Sequence, residues 1–209
     1  MEPESGRYCI NVPQNVFSNA QIFVNRLYLT QHCKNILECT TSSFIITEVG
    51  VLYGGFSEAL ITIFNPISFH LIDTYHMDPY FTYTNGCTVN HYDFIKNKFD
   101  NITSVKLCKG YSHEVLDTFT NNFFDYIYID AMHQYEYIKR DIASAYNKIK
   151  SGGIIQFNDY TNYSKLENIE YGVFLAVNEF LKEYSQNITV IGLSLDKNGY
   201  HDIAIQIRK

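Results

Sequence analysis

Residues 44–60, FIITEVGVLYGGFSEAL, decide the fold. A short run of β-branched and aromatic residues ends at Gly50, and Gly54-Gly55 precede an apolar stretch that begins with Ser57. The first half reads as a buried strand and the second as a helix opening near Ser57. Glycines between a strand and a helix accept positive φ and let a ligand approach the backbone closely. The spacing is G-x-x-x-G-G, with Glu48 two residues before the first glycine, so the dinucleotide fingerprint G-x-G-x-x-G is absent.

Outward from this turn the design repeats. ISFHLID (67–73), SVKLCKG (104–110), FDYIYID (124–130) and GGIIQFND (152–159) are strand-like runs separated by helix-length segments. Tyr135, Ile138, Ile142, Ala145 and Ile149 share one helical face, with Ser151-Gly152-Gly153 as the stop. A second helix is predicted over about 170–184, burying Val173, Phe174, Val177, Phe180 and Leu181. Residues 188–207 read as two strands joined at Lys197-Asn198-Gly199, which adds an antiparallel edge strand. Alternating strand and helix predict a doubly wound α/β fold, mostly parallel, with helices on both faces. Residues 1–40 read as an N-terminal helical arm, from Ile22, Phe23, Leu27, Leu29, Ile36 and Leu37, and 41–209 as the main domain. Ligands in such sheets bind beyond the carboxyl ends of the strands, which directs attention to Glu48, Asp73, Gly110, Asp130 and Asp159.

The chain has 209 residues, of which 46% are hydrophobic and 18% charged, enough for one domain with a substantial core. That apolar share excludes a disordered chain, and no apolar run approaches the ~18 residues of a membrane span. The net charge is -6 and no Lys/Arg cluster appears, which argues against a nucleic-acid partner. The start, MEPESGRYC, lacks the basic and apolar regions of a secretory signal, and five cysteines without a CxxC pair read as reduced thiols. The expected location is cytoplasmic.

With E-x-G-x-x-x-G-G at 48–55 and Asp73 closing the next strand, the chain resembles the class I S-adenosylmethionine-dependent methyltransferases. The resemblance covers about residues 40–207. It implies a Rossmann-like, seven-stranded sheet including the terminal hairpin. It also implies a cofactor site made by Glu48, Gly50, Gly54, Gly55, Ser57, Asp73, Gly110, Ser112 and Asp130. In that site Asp73 holds the ribose hydroxyls, Glu48 lies near the methionine part, and Gly110, Tyr111 and Ser112 border the adenine. FDYIYIDAMHQYEYIKRDI (124–142), KSGGIIQFNDY (150–160) and YGVFLAVNEFL (171–181) are similar to the small-molecule O-methyltransferase branch with the macrolide-sugar enzymes. That branch implies a metal ligand and base in the order acid-x-x-His, here Asp130 and His133. A sugar acceptor rests on the same resemblance.

The residues themselves suit this chemistry. A hydroxyl is a weak nucleophile at neutral pH, and a divalent cation or a nearby base activates it. Asp130, Asn158 and Asp159 stand at neighbouring strand tips and offer an all-oxygen set suited to Mg²⁺ or Mn²⁺. The fifth strand of the branch often ends in two acids or His-Asp, whereas Asn158 here brings a carbonyl without charge. His133, one turn beyond Asp130, has a pKa suited to a general base. Each also has a plainer reading: Asp130 a helix cap, His133 a half-buried helix-start residue, Asp159 a turn residue. Glu136 and Asp141 read as a solvated helix face. His70, His76, His91, His113 and His201 show no metal spacing. Tyr75 and His76 are placed in the acceptor pocket, and the Tyr-rich stretch 78–86 as a lid or a packed loop.

Together these readings predict a metal-assisted O-methyltransferase acting on a hydroxyl of a sugar, glycan or other small molecule. The alternatives are a nucleotide-sugar or nicotinamide-dependent enzyme on the same sheet and a non-catalytic binding module of methyltransferase fold. Tyr135-x-x-x-Lys139 has a reductase spacing but follows the wrong strand tip. A homo-oligomer and membership of a larger glycan-building protein stay open as assemblies.

Overall fold

The structure, a computed structural model, describes residues 11–76, 81–82 and 88–209. After a 3₁₀ turn at Gln14–Phe17 the elements run β1 (Gln21–Phe23), α1 (Arg26–Leu37), β2 (Ile45–Val49), α2 (Gly55–Phe64), β3 (Ser68–Asp73), β4 (Phe81–Thr82), β5 (Thr88–Val89), α3 (His91–Phe99) and β6 (Val105–Lys109). There follow α4 (Ser112–Asp117), β7 (Phe124–Ile129), α5 (Tyr135–Lys148), β8 (Ile149–Phe157), β9 (Tyr163–Ser164), β10 (Ile169–Glu170), α6 (Val173–Glu183), β11 (Ile188–Ser194) and β12 (Asp202–Ile207).

Eight strands form the main sheet in the order β1-β11-β12-β8-β7-β2-β3-β6. β2 pairs in parallel with β3 and β7, so the chain order reverses between β2 and β7, where ligands of doubly wound sheets bind. Strand alternation divides the core. Ile127 and Ile129 face one layer with Ile138 and Ile142 of α5 and Val177 and Phe180 of α6. Tyr126 and Tyr128 face the other with Leu29 and Cys33 of α1, Leu60 and Phe64 of α2, and Ile95 of α3. Helices therefore cover both faces, as expected.

Three details depart from the sequence reading. The sheet has eight strands, not seven, because Gln21–Phe23 of the arm pair in parallel with β11. Three residues are too few to show alternation, and their apolar side chains happened to continue the helical spacing of α1. β12 consequently lies inside the sheet, antiparallel to both β8 and β11, and β1 takes the edge. The second departure is at α5, which ends at Lys148, after which Ile149 is already extended. Gly152 and Gly153 lie within β8, where the register against β7 jumps between Phe124 and Tyr126. A β-bulge, not a helix stop, is what Gly152 serves with its φ of +83°. The third is at α2, which starts at Gly55, behind a left-handed Gly54 cap, and not at Ser57. Most of the Tyr-rich stretch 78–86, with Cys87 and Cys9, lies outside the described residues; Phe81–Thr82 pair with Thr88–Val89.

Candidate active site

The tips of β2, β3, β7 and β8 bring the expected acids to one end of the sheet, and the tip of β6 brings Gly110. The glycine turn is held from below. Gly50 N–H donates to Ile72 O at 2.8 Å, and Asp130 N–H to Val49 O at 2.7 Å. A Cβ on Gly50, whose φ is +87°, would stand 1.9 Å from Asp130 O. Glycine is required there because the β2 turn and the β7 tip touch. Gly54 is equally confined, by the Phe99 ring, whereas a Cβ on Gly55 would meet no atom within 4 Å. Gly55 thus borders open space at the first turn of α2.

Glu48 lies beneath this turn and is 1% exposed. Ser57 Oγ donates to its Oε2, which ties the first turn of α2 to β2. Burial pushes the Glu48 carboxyl well above the usual carboxylate range, despite the Ser57 bond. Asp73 terminates β3 and takes Val51 N–H on Oδ2 and Tyr75 N–H on Oδ1, both at 2.7 Å. Thr74 Oγ1 also donates to Oδ1, at 3.5 Å, and with roughly four acceptor positions on a carboxylate, Oδ2 keeps one for a ligand hydroxyl. Tyr75 itself is buried, its hydroxyl donating to Leu71 O, and so belongs to the core and not to an acceptor pocket.

Gly110 follows β6, and Ser112 opens α4. Its hydroxyl donates to Asp141 Oδ1 of α5. Asp141 is therefore no solvated face residue: it is 1% exposed, its Oδ2 has no hydrogen-bond partner, and burial pushes its pKa up to about 6. The helical pattern hid this because α4, six residues long, covers the polar side of α5. Glu136 opens the same helix, in its first turn.

Asp130, Asn158, Asp159 and His133 do come together. Asn158 Nδ2 donates to Asp130 Oδ1 at 2.7 Å, and its own Oδ1 is buried with no partner. His133 Nε2 lies 3.5 Å from Asp130 Oδ1 and 3.8 Å from Asp159 Oδ2. Its ring stacks on Tyr171 with centroids 4.4 Å apart and an 11° tilt. Burial opposes charge on His133, but the carboxylates of Asp130, Asp159 and Glu167 outweigh it, and the pKa is raised. Burial, with Asp130 alongside, pushes Asp159 up to about 6. Asp159 adopts a φ of +51°, which turns the chain off β8 into the β9–β10 hairpin. Among the described residues no three His, Cys, Asp or Glu side chains are arranged as a metal site. The oxygen donors available to a hard cation are Asp130, Asp159 and the unpartnered Asn158 carbonyl.

Arg26, from the arm, was missed by the sequence reading. Its Nη1 donates to Tyr128 Oη at 3.1 Å, and its Nε lies 3.9 Å from buried Asp202. No motif marks it: an arginine at a helix start looks like an ordinary surface charge, and only β1 pairing brings it to the strand tips. Tyr135 and Lys139 form a surface cluster with Glu179 and do not enter the site.

An open sheet with a glycine turn at its reversal point, an acid at the next strand tip and an acidic cluster two strands away define the ligand-binding edge of a doubly wound α/β fold. The comparisons carry this to a family. The profile described as a methyltransferase domain matches residues 47–160, more than half of the chain, and the chain belongs to that family. Its fold is that of the class I S-adenosylmethionine-dependent methyltransferases.

Three solved structures show the likeness. An rRNA methylase from Streptococcus thermophilus is 11% identical, with a TM-score of 0.61 over 90% of this chain and 99% of that one. A caffeoyl-CoA O-methyltransferase assigned in Staphylococcus aureus is 15% identical, with a TM-score of 0.55 over 93% and 86%. The MycE methyltransferase of mycinamycin biosynthesis, solved with Mg, SAH and mycinamycin VI, is 14% identical, with a TM-score of 0.57 over 87% of this chain and 50% of that one. No curated protein matches the chain in sequence. No helix among the described residues is long and apolar enough to cross a membrane.

Proposed function

We propose that the protein is an O-methyltransferase that methylates a hydroxyl of a small molecule or glycan, with a sugar as the preferred acceptor. The observation that carries this reading is the convergence of His133 with Asp130 and Asp159 at neighbouring strand tips, beside the glycine turn and Asp73. S-Adenosylmethionine, when bound, supplies a sulfonium methyl group already activated for displacement. The chain's task lies with the acceptor. Asp73 orients the ribose through charge-assisted hydrogen bonds, Gly55 leaves room for the cofactor, and Gly50, Gly54 and Gly110 shape the turns around it. His133 receives, at Nε2, the proton that the acceptor hydroxyl gives up as its oxygen takes the methyl carbon.

Asp130, Asn158 and Asp159 would hold Mg²⁺ or Mn²⁺, which lowers the pKa of a bound hydroxyl. The fit rests on Asn158 Oδ1, a buried acceptor that a hard cation satisfies, and on two carboxylates that a cation relieves of mutual repulsion. The acidic balance of the chain favours a small acceptor over rRNA, although rRNA methylases share the fold. Cytoplasmic location, oligomeric state and membership of a larger glycan-building protein belong to the same proposal.

The test is transfer of a labelled methyl group to a panel of hydroxylated sugars and aromatics by metal-loaded and metal-stripped protein. Labelled product that falls sharply in EDTA supports the full reading. Full activity after stripping moves the reaction to a metal-free base mechanism. Transfer to RNA alone removes the small-molecule assignment, and tight binding of NAD(P) revives the nicotinamide alternative.

A further inference from the structure

We propose that Arg26 of the N-terminal arm is a cofactor-binding residue whose guanidinium receives the carboxylate at the methionine end of S-adenosylmethionine. The proposal rests on the methyltransferase reading of the site and adds a residue from outside the segment matched by the family profile.

Position comes first. Arg26 Cζ lies 5.7 Å from the centroid of Phe56, the second residue of α2, directly after the Gly54-Gly55 turn. Phe56 in turn packs on Tyr128 with ring centroids 4.2 Å apart. The guanidinium therefore stands beside two rings, Phe56 in the first turn of α2 and Tyr128 near the end of β7. Open space borders Gly55 in the same turn. The opening amides of a helix have no intrahelical acceptors and carry the positive end of its dipole, so they favour an anion at that place.

Donor capacity comes second. A guanidinium has five N–H donors. One goes to Tyr128 Oη, and the approach to Asp202 at 3.9 Å is too long for a hydrogen bond. The side chain is 37% exposed, so donors remain for a planar anion. A forked guanidinium matches a carboxylate in two parallel hydrogen bonds.

Anchoring comes third. Asn25 caps α1 by accepting Tyr28 N–H at 3.1 Å. Thr30 Oγ1 donates to Arg26 O at 2.8 Å and also lies 3.2 Å from Gln156 Oε1. Gln156 Nε2 donates to Asp202 Oδ2 at 2.8 Å. This buried chain of polar groups fixes the start of α1 against β8 and β12, and so holds the guanidinium at the strand tips.

Calorimetric titration with S-adenosylhomocysteine and with 5′-methylthioadenosine tests the assignment. The second ligand keeps the adenosine thioether and lacks the amino-acid part. Arg26→Met is expected to weaken S-adenosylhomocysteine at least tenfold and to leave 5′-methylthioadenosine within twofold of wild type. Arg26→Lys, which keeps the charge and loses the fork, is expected to fall between. Unchanged S-adenosylhomocysteine affinity in Arg26→Met overturns the proposal, and so does an equal loss for both ligands, which marks an arm that merely packs. If Arg26→Met does not fold, Arg26→Lys decides by the same comparison. Failure of the wild-type protein to bind either ligand removes the methyltransferase reading itself, and the assignment with it.

Discussion

At the scale of single residues, the glycines of the turn do different work. Gly50 belongs to the fold: an added Cβ meets the Asp130 carbonyl at 1.9 Å, and φ is +87°. Gly50→Ala is expected to destabilise the protein by on the order of 2–4 kcal/mol, seen as a fall in Tm. Gly55 borders open space, which the proposed reading gives to the cofactor: nothing lies within 4 Å of its Cβ position, and the residue is already helical. Gly55→Ala is expected to keep Tm or raise it slightly while lowering S-adenosylhomocysteine affinity, and a Tm loss equal to that of Gly50→Ala would contradict the distinction. His133 and Asp130 separate binding from chemistry. Alanine at either is expected to leave cofactor affinity nearly intact and to reduce turnover strongly, whereas turnover within threefold of wild type for both would end the assigned roles. The raised pKa of His133 sets the direction of the pH profile. A base must be unprotonated, so kcat/KM should rise with pH through the His133 titration, which the carboxylates hold above the ordinary 6.5 in stripped protein and a cation on Asp130 and Asp159 should bring down.

At the scale of elements, the long periodic segments were legible and the short ones were not. α5 carries Ile138, Ile142 and Ala145 on one face, and the β7 run FDYIYI is a strand buried on both faces. Periodicity finds such elements because burial repeats along them. β1, three residues long, has no period to read, and the bulge in β8 placed Gly152 and Gly153 where a helix stop is also plausible in sequence. Asp141 shows the limit for side chains: the helix predicts its face, but only α4 packing makes that face buried. Its pKa of about 6 makes stability depend on pH in a defined direction. The folded state binds the proton more tightly than the unfolded chain, whose Asp titrates near 3.9. Stability attributable to Asp141 is therefore present at low pH and lost as pH rises through about 4 to 6, by on the order of 3 kcal/mol. Asp141→Asn should flatten the Tm difference between pH 4.5 and pH 7.5, and an unchanged difference would show that Asp141 ionises freely in the fold.

At the scale of the whole molecule, the site is an assembly of tips from strands that are distant in sequence. Glu48, Asp73, Asp130 and Asp159 were legible because each lies at or just past a strand end, and the doubly wound topology sends those ends to one edge. Arg26 was not, because its place depends on parallel pairing of β1 with β11, a contact between residues about 170 apart in the chain. Nor could the sequence show that Ser112 spends its hydroxyl on Asp141. Metal dependence is a property of the assembled tips as well. Stripping with EDTA should lower turnover sharply and Tm only modestly, since Asn158 and His133 each already lie against Asp130 without a cation. A large Tm loss on stripping would make the cation structural. The central claim is that this edge of the sheet binds S-adenosylmethionine. Titration of the wild-type protein with S-adenosylhomocysteine in a calorimeter, with Mg²⁺ present, tests it most directly. The account predicts one-site binding in the micromolar range. No heat at about 1 mM ligand, where the binding free energy is no better than about -4 kcal/mol, would contradict it.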